Sequence, residues 1–387
     1  MSDRPAVSAG TENSGAARIR TPELLRPVGR SRWGMAAALA IALGAILVVA
    51  VSAGRAELGS AIGLGFVLTA VPELPGSLRA AVETICVRAL TVVVCGAIVL
   101  LSAPYPYALA VVTVGAAVFG ALIGRVGATA GLAVVLMSTD LGASTGGVAA
   151  LCPYVIGALV VLAAWSAWFG VARLGGAAAE DAEPPRAGGG RAHALRVGVA
   201  VGLAVSAANL LPADMVGGHW LVTSVLLTIQ PSQGQTGKRM AQRLSGNAVG
   251  AVIAAALLGA QPPAPVMIFA TVVLFALAIA LRPVNYTWWA ITGPPVLLVI
   301  SEYPELFPWY EGGVRLAMNF AGAAIVVLVV FVMPIFSARV GRSRVRPRDV
   351  AEIRHAGPNG GPAGMRPIPR PNYRIVYTKS NDVQGDM

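Results

Sequence analysis

The chain has 387 residues, 56% of them hydrophobic and only 12% charged, with a mean hydropathy of +0.70. A soluble domain carries about a quarter charged residues, so a water-soluble globule is excluded and a polytopic membrane protein is expected. The net charge of +11 lies in loops and tails without interleaved aromatics, which sets nucleic acid aside in favour of membrane topology.

The apolar runs are continuous rather than alternating, so helices and not a barrel are expected: an all-α, polytopic transmembrane bundle. Residues 1–32 form a basic, Pro-containing segment with Arg18, Arg20, Arg26, Arg30 and Arg32, expected on the cytoplasmic side. Six spans are expected within residues 33–172, at about 33–53, 58–72, 82–103, 106–124, 126–140 and 147–172. Residues 173–194, with Pro, Gly and mixed charge, read as a cytoplasmic linker. Six more spans are expected within residues 195–337, at about 195–212, 219–230, 243–260, 264–282, 287–302 and 313–337. Residues 338–387 are rich in Arg, Pro and Gly and read as a disordered basic cytoplasmic tail. With twelve spans and both termini inside, most Lys and Arg fall on the inner side. The outer loops then hold Glu57, Asp140, Asp214, Glu302, Glu305 and Glu311.

Two internal repeats are visible. Leu68-Thr69-Ala70-Val71-Pro72 parallels Leu227-Thr228-Ile229-Gln230-Pro231, and Gly146-Gly147-Val148 parallels Gly312-Gly313-Val314, as expected of two parallel six-helix halves. Within the second half, Arg243-Leu-x-x-Asn247-x-x-Gly250-Ala recurs as Arg315-Leu-x-x-Asn319-x-x-Gly322-Ala. That spacing puts Arg, Asn and Gly on one helix face, and it suggests inverted three-helix units with the two helices antiparallel. The competing explanation is ordinary small-residue packing.

The stretch His219–Gly259 carries the chemistry. An apolar run ends at Gln230-Pro231, a polar Gly-rich turn is expected, and Lys238, Arg239 and Arg243 lead into the next span. A cation in a span is costly unless it meets headgroups, water or an anion. Arg243 and Arg315 are therefore candidates to grip a carboxylate in a bidentate fork, with Asn247 and Asn319 one turn away, although both arginines could instead snorkel to headgroups. Trp220, Trp288, Trp289 and Trp309 fall at span ends and read as interfacial belt residues, with Trp288-Trp289 alternatively a stacking surface for an aromatic substrate. Pro294-Pro295 is expected to interrupt its span, and Gly246, Gly250 and Gly322 to allow close helix approach. The loop Gly234–Arg239 fails the phosphate-loop pattern, because Ser232 stands where the first Gly is needed and Arg239 where the Ser or Thr would be. Cys86, Cys95 and Cys152 form no CxxC, and His193, His219 and His355 are far apart, so neither a metal nor a cofactor is expected.

The run Trp220…Gln230-Pro231…Arg239-x-x-x-Arg243-x-x-Gly246-x-x-x-Gly250 resembles the fusaric acid resistance (FUSC-like) membrane domain, over about residues 195–337. The resemblance implies an inner-membrane exporter of aromatic carboxylic acids, acting on a small organic anion and not as an enzyme. A homo-oligomer is left open. The alternatives are a non-transporting membrane scaffold and a membrane enzyme acting on lipid-linked substrates. The absence of any acidic or His cluster weighs against the enzyme.

Overall fold

The computed structural model describes residues 27, 29–70, 77–141, 147–174, 190–211, 217–302 and 311–335. The chain divides into two units, Met1–Phe336 and Ser337–Met387, and everything described belongs to the first. The segment up to residue 26, most of the expected linker and the whole tail, together with Asp214, Glu305 and Trp309, lie outside the described residues.

Every described regular element is helical. They are α1 (Trp33–Ser52), α2 (Ala56–Thr69), α3 (Leu78–Ser102), α4 (Pro106–Leu122), α5 (Thr129–Leu141), a 3-10 turn (Gly147–Leu151) and α6 (Cys152–Leu174). Then follow α7 (Gly190–Ala208), α8 (Gly218–Thr228), α9 (Gln233–Ala260), α10 (Ala264–Leu281), α11 (Tyr286–Glu302) and α12 (Glu311–Val327), with a π-turn at Leu328–Val332. Five stretches are long and apolar enough to cross a membrane: Trp33–Ser52, Leu78–Ser102, Gly147–Leu174, Ala264–Leu281 and Gly312–Ile335. Ala56–Thr69, Pro106–Leu122, Thr129–Leu141 and Tyr286–Ile300 are apolar but shorter. Large apolar side chains stay exposed around the bundle, among them Ile41, Leu101, Val111 and Phe269. A water-facing surface does not tolerate that much apolar area, so this face contacts lipid.

Sequence and structure differ most at α9. The expectation is a Gly-rich turn over Gly234–Arg239 and a span from about residue 243, yet the helix begins at Gln233. Ser232 caps it, its Oγ accepting from the Gln235 N–H. Thr236 is wholly buried, and its Oγ1 accepts from the Gln230 N–H while donating back toward the Gln230 and Ser232 carbonyls. This knot fixes the Gln230-Pro231 corner and carries the helix through Gly234 and Gly237. Arg243 thus lies about three turns inside α9 rather than at its mouth. The expected linker also shrinks, because α6 runs to Leu174 and α7 starts at Gly190. Pro294 and Pro295 do not break α11, which runs through them. The last helix, expected as one span to residue 337, passes into the π-turn, where Gln233 Nε2 donates to the Val330 carbonyl at 2.8 Å.

Packing brings α9 against α11 and α12, and α12 against α8. One apolar core joins α1, α2, α3, α5 and α6 to side chains of α10 and α11, while a second joins α4, α5, α7, α8 and α12. Polar groups of α3–α6 pair locally: Arg125 donates to Glu83, and the buried Tyr154 hydroxyl donates to Asp140. Cys95 is buried, whereas Cys86 and Cys152 are exposed.

Candidate functional site

The site follows from helix periodicity. On α9, Arg243 and Asn247 share a face one turn apart, and on α12 Arg315 and Asn319 do the same. The two helices run antiparallel with these faces opposed. Gly312 lies against Ala251 and Ala255, whereas Asn319 meets Asn247 and Arg243. All four polar residues are buried, with relative exposures of 6% for Arg243, 3% for Asn247, 5% for Arg315 and 9% for Asn319.

A hydrogen-bonded network joins them. Arg243 Nη1 donates to the Tyr286 hydroxyl at 3.1 Å and Nη2 donates to Asn319 Oδ1 at 3.2 Å. Asn247 Nδ2 donates to the same Asn319 Oδ1 at 2.7 Å, while Asn319 Nδ2 donates to the Arg315 carbonyl at 2.8 Å. Arg315 Nη1 donates to the Pro294 carbonyl at 3.2 Å, and its guanidinium lies 3.5 Å from the centroid of the Trp220 ring. Arg239 lies 3.6 Å from the Tyr286 ring centroid and Arg282 4.7 Å from that of Trp289. Beside them Gln242 Nε2 donates to Asn285 Oδ1, which also caps the start of α11 by accepting from the Thr287 N–H.

Arg243, Asn247, Arg315 and Asn319 line one cavity of about 40 Å³, room for a few waters. Apolar walls come from Leu227, Ala254, Leu297 and Leu316, with Trp220 and Trp289 supplying aromatic faces. Three buried polar atoms, Arg243 Nε, Asn247 Oδ1 and Thr223 Oγ1, have no hydrogen-bond partner. Within α8 and α9 the sequence contains no aspartate or glutamate, whereas α11 ends at Glu302 and α12 begins at Glu311. A buried guanidinium costs several kcal/mol in desolvation (about that scale per ion), which hydrogen bonds and ring stacking offset only in part. The cavity is therefore lined by buried cationic and amide groups on one side and by apolar and aromatic side chains on the other.

The glycines explain how α9 comes so close to α11. A Cβ on Gly250 would stand 2.6 Å from the Ile291 carbonyl oxygen, and one on Gly246 would stand 2.5 Å from the Ala290 Cβ. Pro294 and Pro295 lack N–H groups, so the carbonyls of Ala290 and Ile291 lose their usual helical donors just where this glycine face packs. Gly322 approaches α8 in the same way, 2.8 Å from Ser224. Gly250→Ala should therefore lower the thermal unfolding temperature of the purified protein, by about 1–3 kcal/mol of overpacking. Gly259→Ala, in the same helix with open space around it, should leave that temperature unchanged or raise it.

Trp288 and Trp289 are not brought together as a stacking pair. Trp289 lines the cavity, whereas Trp288, one residue earlier and so about 100° around the helix, turns to the outer surface with 37% exposure. Sequence reasoning missed Tyr286, Thr223 and the Gln242–Asn285 pair, and it took Trp220 for a belt residue. Asn285 just before an aromatic run is a cap signal that could have placed Tyr286 at a helix start.

Every residue of this network, from Trp220 to Asn319, comes from one contiguous part of the chain. Residues 200–329 match the fusaric acid resistance protein-like family model. The matched fusaric acid resistance protein-like segment spans α8–α12 and part of α7, so it holds the whole cavity. No curated protein matches the chain, and no solved structure does either.

Proposed function

We propose that this protein is an inner-membrane secondary transporter that exports organic acids, aromatic carboxylic acids in particular, through the cavity between α8, α9, α11 and α12. One observation carries the proposal: Arg243 and Arg315, both more than nine-tenths buried, line a single aromatic-walled cavity. An incoming carboxylate would meet two buried guanidinium groups, with Trp220 and Trp289 beside it as aromatic walls for its ring. Inside-negative membrane potential already favours expulsion of an anion by about 2.3 kcal/mol per charge per 100 mV, so no coupling proton is required.

In this proposal the twelve helices lie in the bilayer as two parallel six-helix halves, short ones such as α8 covering only part of its thickness, with both termini cytoplasmic. The packing is consistent with exchange of the halves. Trp33–Ser52 packs on Ala264–Leu281 while Pro106–Leu122 packs on Gly190–Ala208. Likewise Gly157 approaches the Ile62 carbonyl as Gly322 approaches that of Leu221.

The test is efflux from proteoliposomes loaded with a panel of aromatic acids, under an imposed potential. Protein-dependent, potential-driven loss of at least one acid is expected. Release no faster than from protein-free vesicles across the panel would refute the transporter.

A further inference from the structure

The donors around Asn319 are arranged for an anion but hold an amide. Two of them, Arg243 Nη2 and Asn247 Nδ2, converge on the single oxygen Asn319 Oδ1 at 3.2 and 2.7 Å. A third, Arg243 Nε, shares an edge of the guanidinium with Nη2, is buried, and has no partner. A neutral carbonyl has one oxygen and fills only part of such a seat. A carboxylate has two, one to replace Oδ1 on Nη2 and Asn247, the other to reach Nε. The Tyr286 hydroxyl holds the remaining nitrogen, Nη1, and so fixes the plane of the fork.

We propose that the Asn319 side chain is an internal placeholder: its carbonyl occupies the seat of the substrate carboxylate, and anion binding is an exchange that expels it. This deepens the export reading above and rests on it. The exchange has a mechanical consequence. Asn319 Oδ1 is the atom through which the α9 side chains Arg243 and Asn247 hold α12. Displacing it breaks both of these bonds at once, so ligand binding loosens one helix from the other. When the anion leaves, the amide returns and the two helices close again. Asn319 is thus a positioning residue that couples occupancy to helix movement, and not a direct ligand of the substrate.

Asn319→Asp tests the placeholder, because it tethers a carboxylate at the proposed seat without changing size. In the full-length protein in detergent, this variant should unfold at a higher temperature than wild type in the absence of ligand. An ion pair with Arg243 replaces a hydrogen bond from the guanidinium to a neutral amide, which outweighs loss of the donor to the Arg315 carbonyl. It should also lose the stabilisation that benzoate gives wild type, and lose efflux. Asn319→Ala removes the competitor, so benzoate should bind about two- to tenfold more tightly, the worth of one net hydrogen bond. Its maximal efflux should fall, because the returning amide is gone. An Asp variant that keeps the wild-type benzoate response, or unfolds no higher than wild type, would overturn the placeholder while leaving the transporter intact. Should the Asp variant not survive extraction, the Ala variant decides alone: tighter benzoate binding upholds the exchange and weaker binding overturns it. If wild type shows neither a thermal response nor efflux with any acid of the panel, the transporter fails and the placeholder with it.

Discussion

Arg243→Lys should bring efflux of aromatic acids close to background while the protein inserts and purifies normally. Lysine keeps the charge, but its ammonium cannot hold the Tyr286 hydroxyl and the Asn319 carbonyl together and still present a free edge to the cavity. Losing one partner of a buried, hydrogen-bonded charge pair costs about 2–4 kcal/mol, or roughly thirty- to a thousandfold in apparent affinity. A second substitution separates function from folding. Arg243→Met removes a buried cation from α9, a helix with no carboxylate of its own, and with it the cost of desolvating that charge. The Met variant should unfold at or above the wild-type temperature and export nothing. A Met variant that unfolds early would show Arg243 to be a structural clamp, and wild-type efflux by the Lys variant would remove it from the anion path.

Arg315→Lys is expected to retain expression and membrane insertion but lose most efflux. The loss of one charge-assisted contact costs about 1.5–3 kcal/mol, roughly ten- to a hundredfold in apparent affinity. The structure sharpens the reason. The guanidinium of Arg315 lies flat against Trp220 while Nη1 reaches the Pro294 carbonyl, and a flexible ammonium reproduces neither the stacking nor the fork. Asn319→Ala should show a smaller loss of efflux measured in the same vesicles. If Arg315 only anchors its helix at the headgroups, lysine snorkels as well as arginine, and the Lys variant at matched protein level would export like wild type.

The helices were legible because their apolar runs are long and their breaks contain Pro, Gly or charge. The Arg-x3-Asn faces were legible because helical periodicity puts such residues in line whatever the packing. The beginning of α9 was misread because Gly234, Gly237 and three glutamines look like a loop. Yet Ser232 with Gln235 three residues later is a capping signal, and it outweighs the glycines once Thr236 ties the corner. Pro294-Pro295 was expected to break its helix, because local preference cannot reveal that a glycine face of α9 closes over the freed carbonyls. Tyr286 and Thr223 were invisible for another reason: each acquires meaning only from helices far away in sequence, which periodicity cannot pair. The separation of Trp288 from Trp289, by contrast, is simple helix geometry.

The α8 helix, Gly218–Thr228, has 11 residues and rises about 16 Å, roughly half the thickness of a hydrocarbon core. Its wall of the cavity is therefore a thin septum rather than a full-depth barrier. Where polar crevices meet such a septum from both sides, the transmembrane voltage falls across the septum and not across the whole bilayer. On the export reading, an anion passing the level of this short helix would cross most of the electric field over a small displacement.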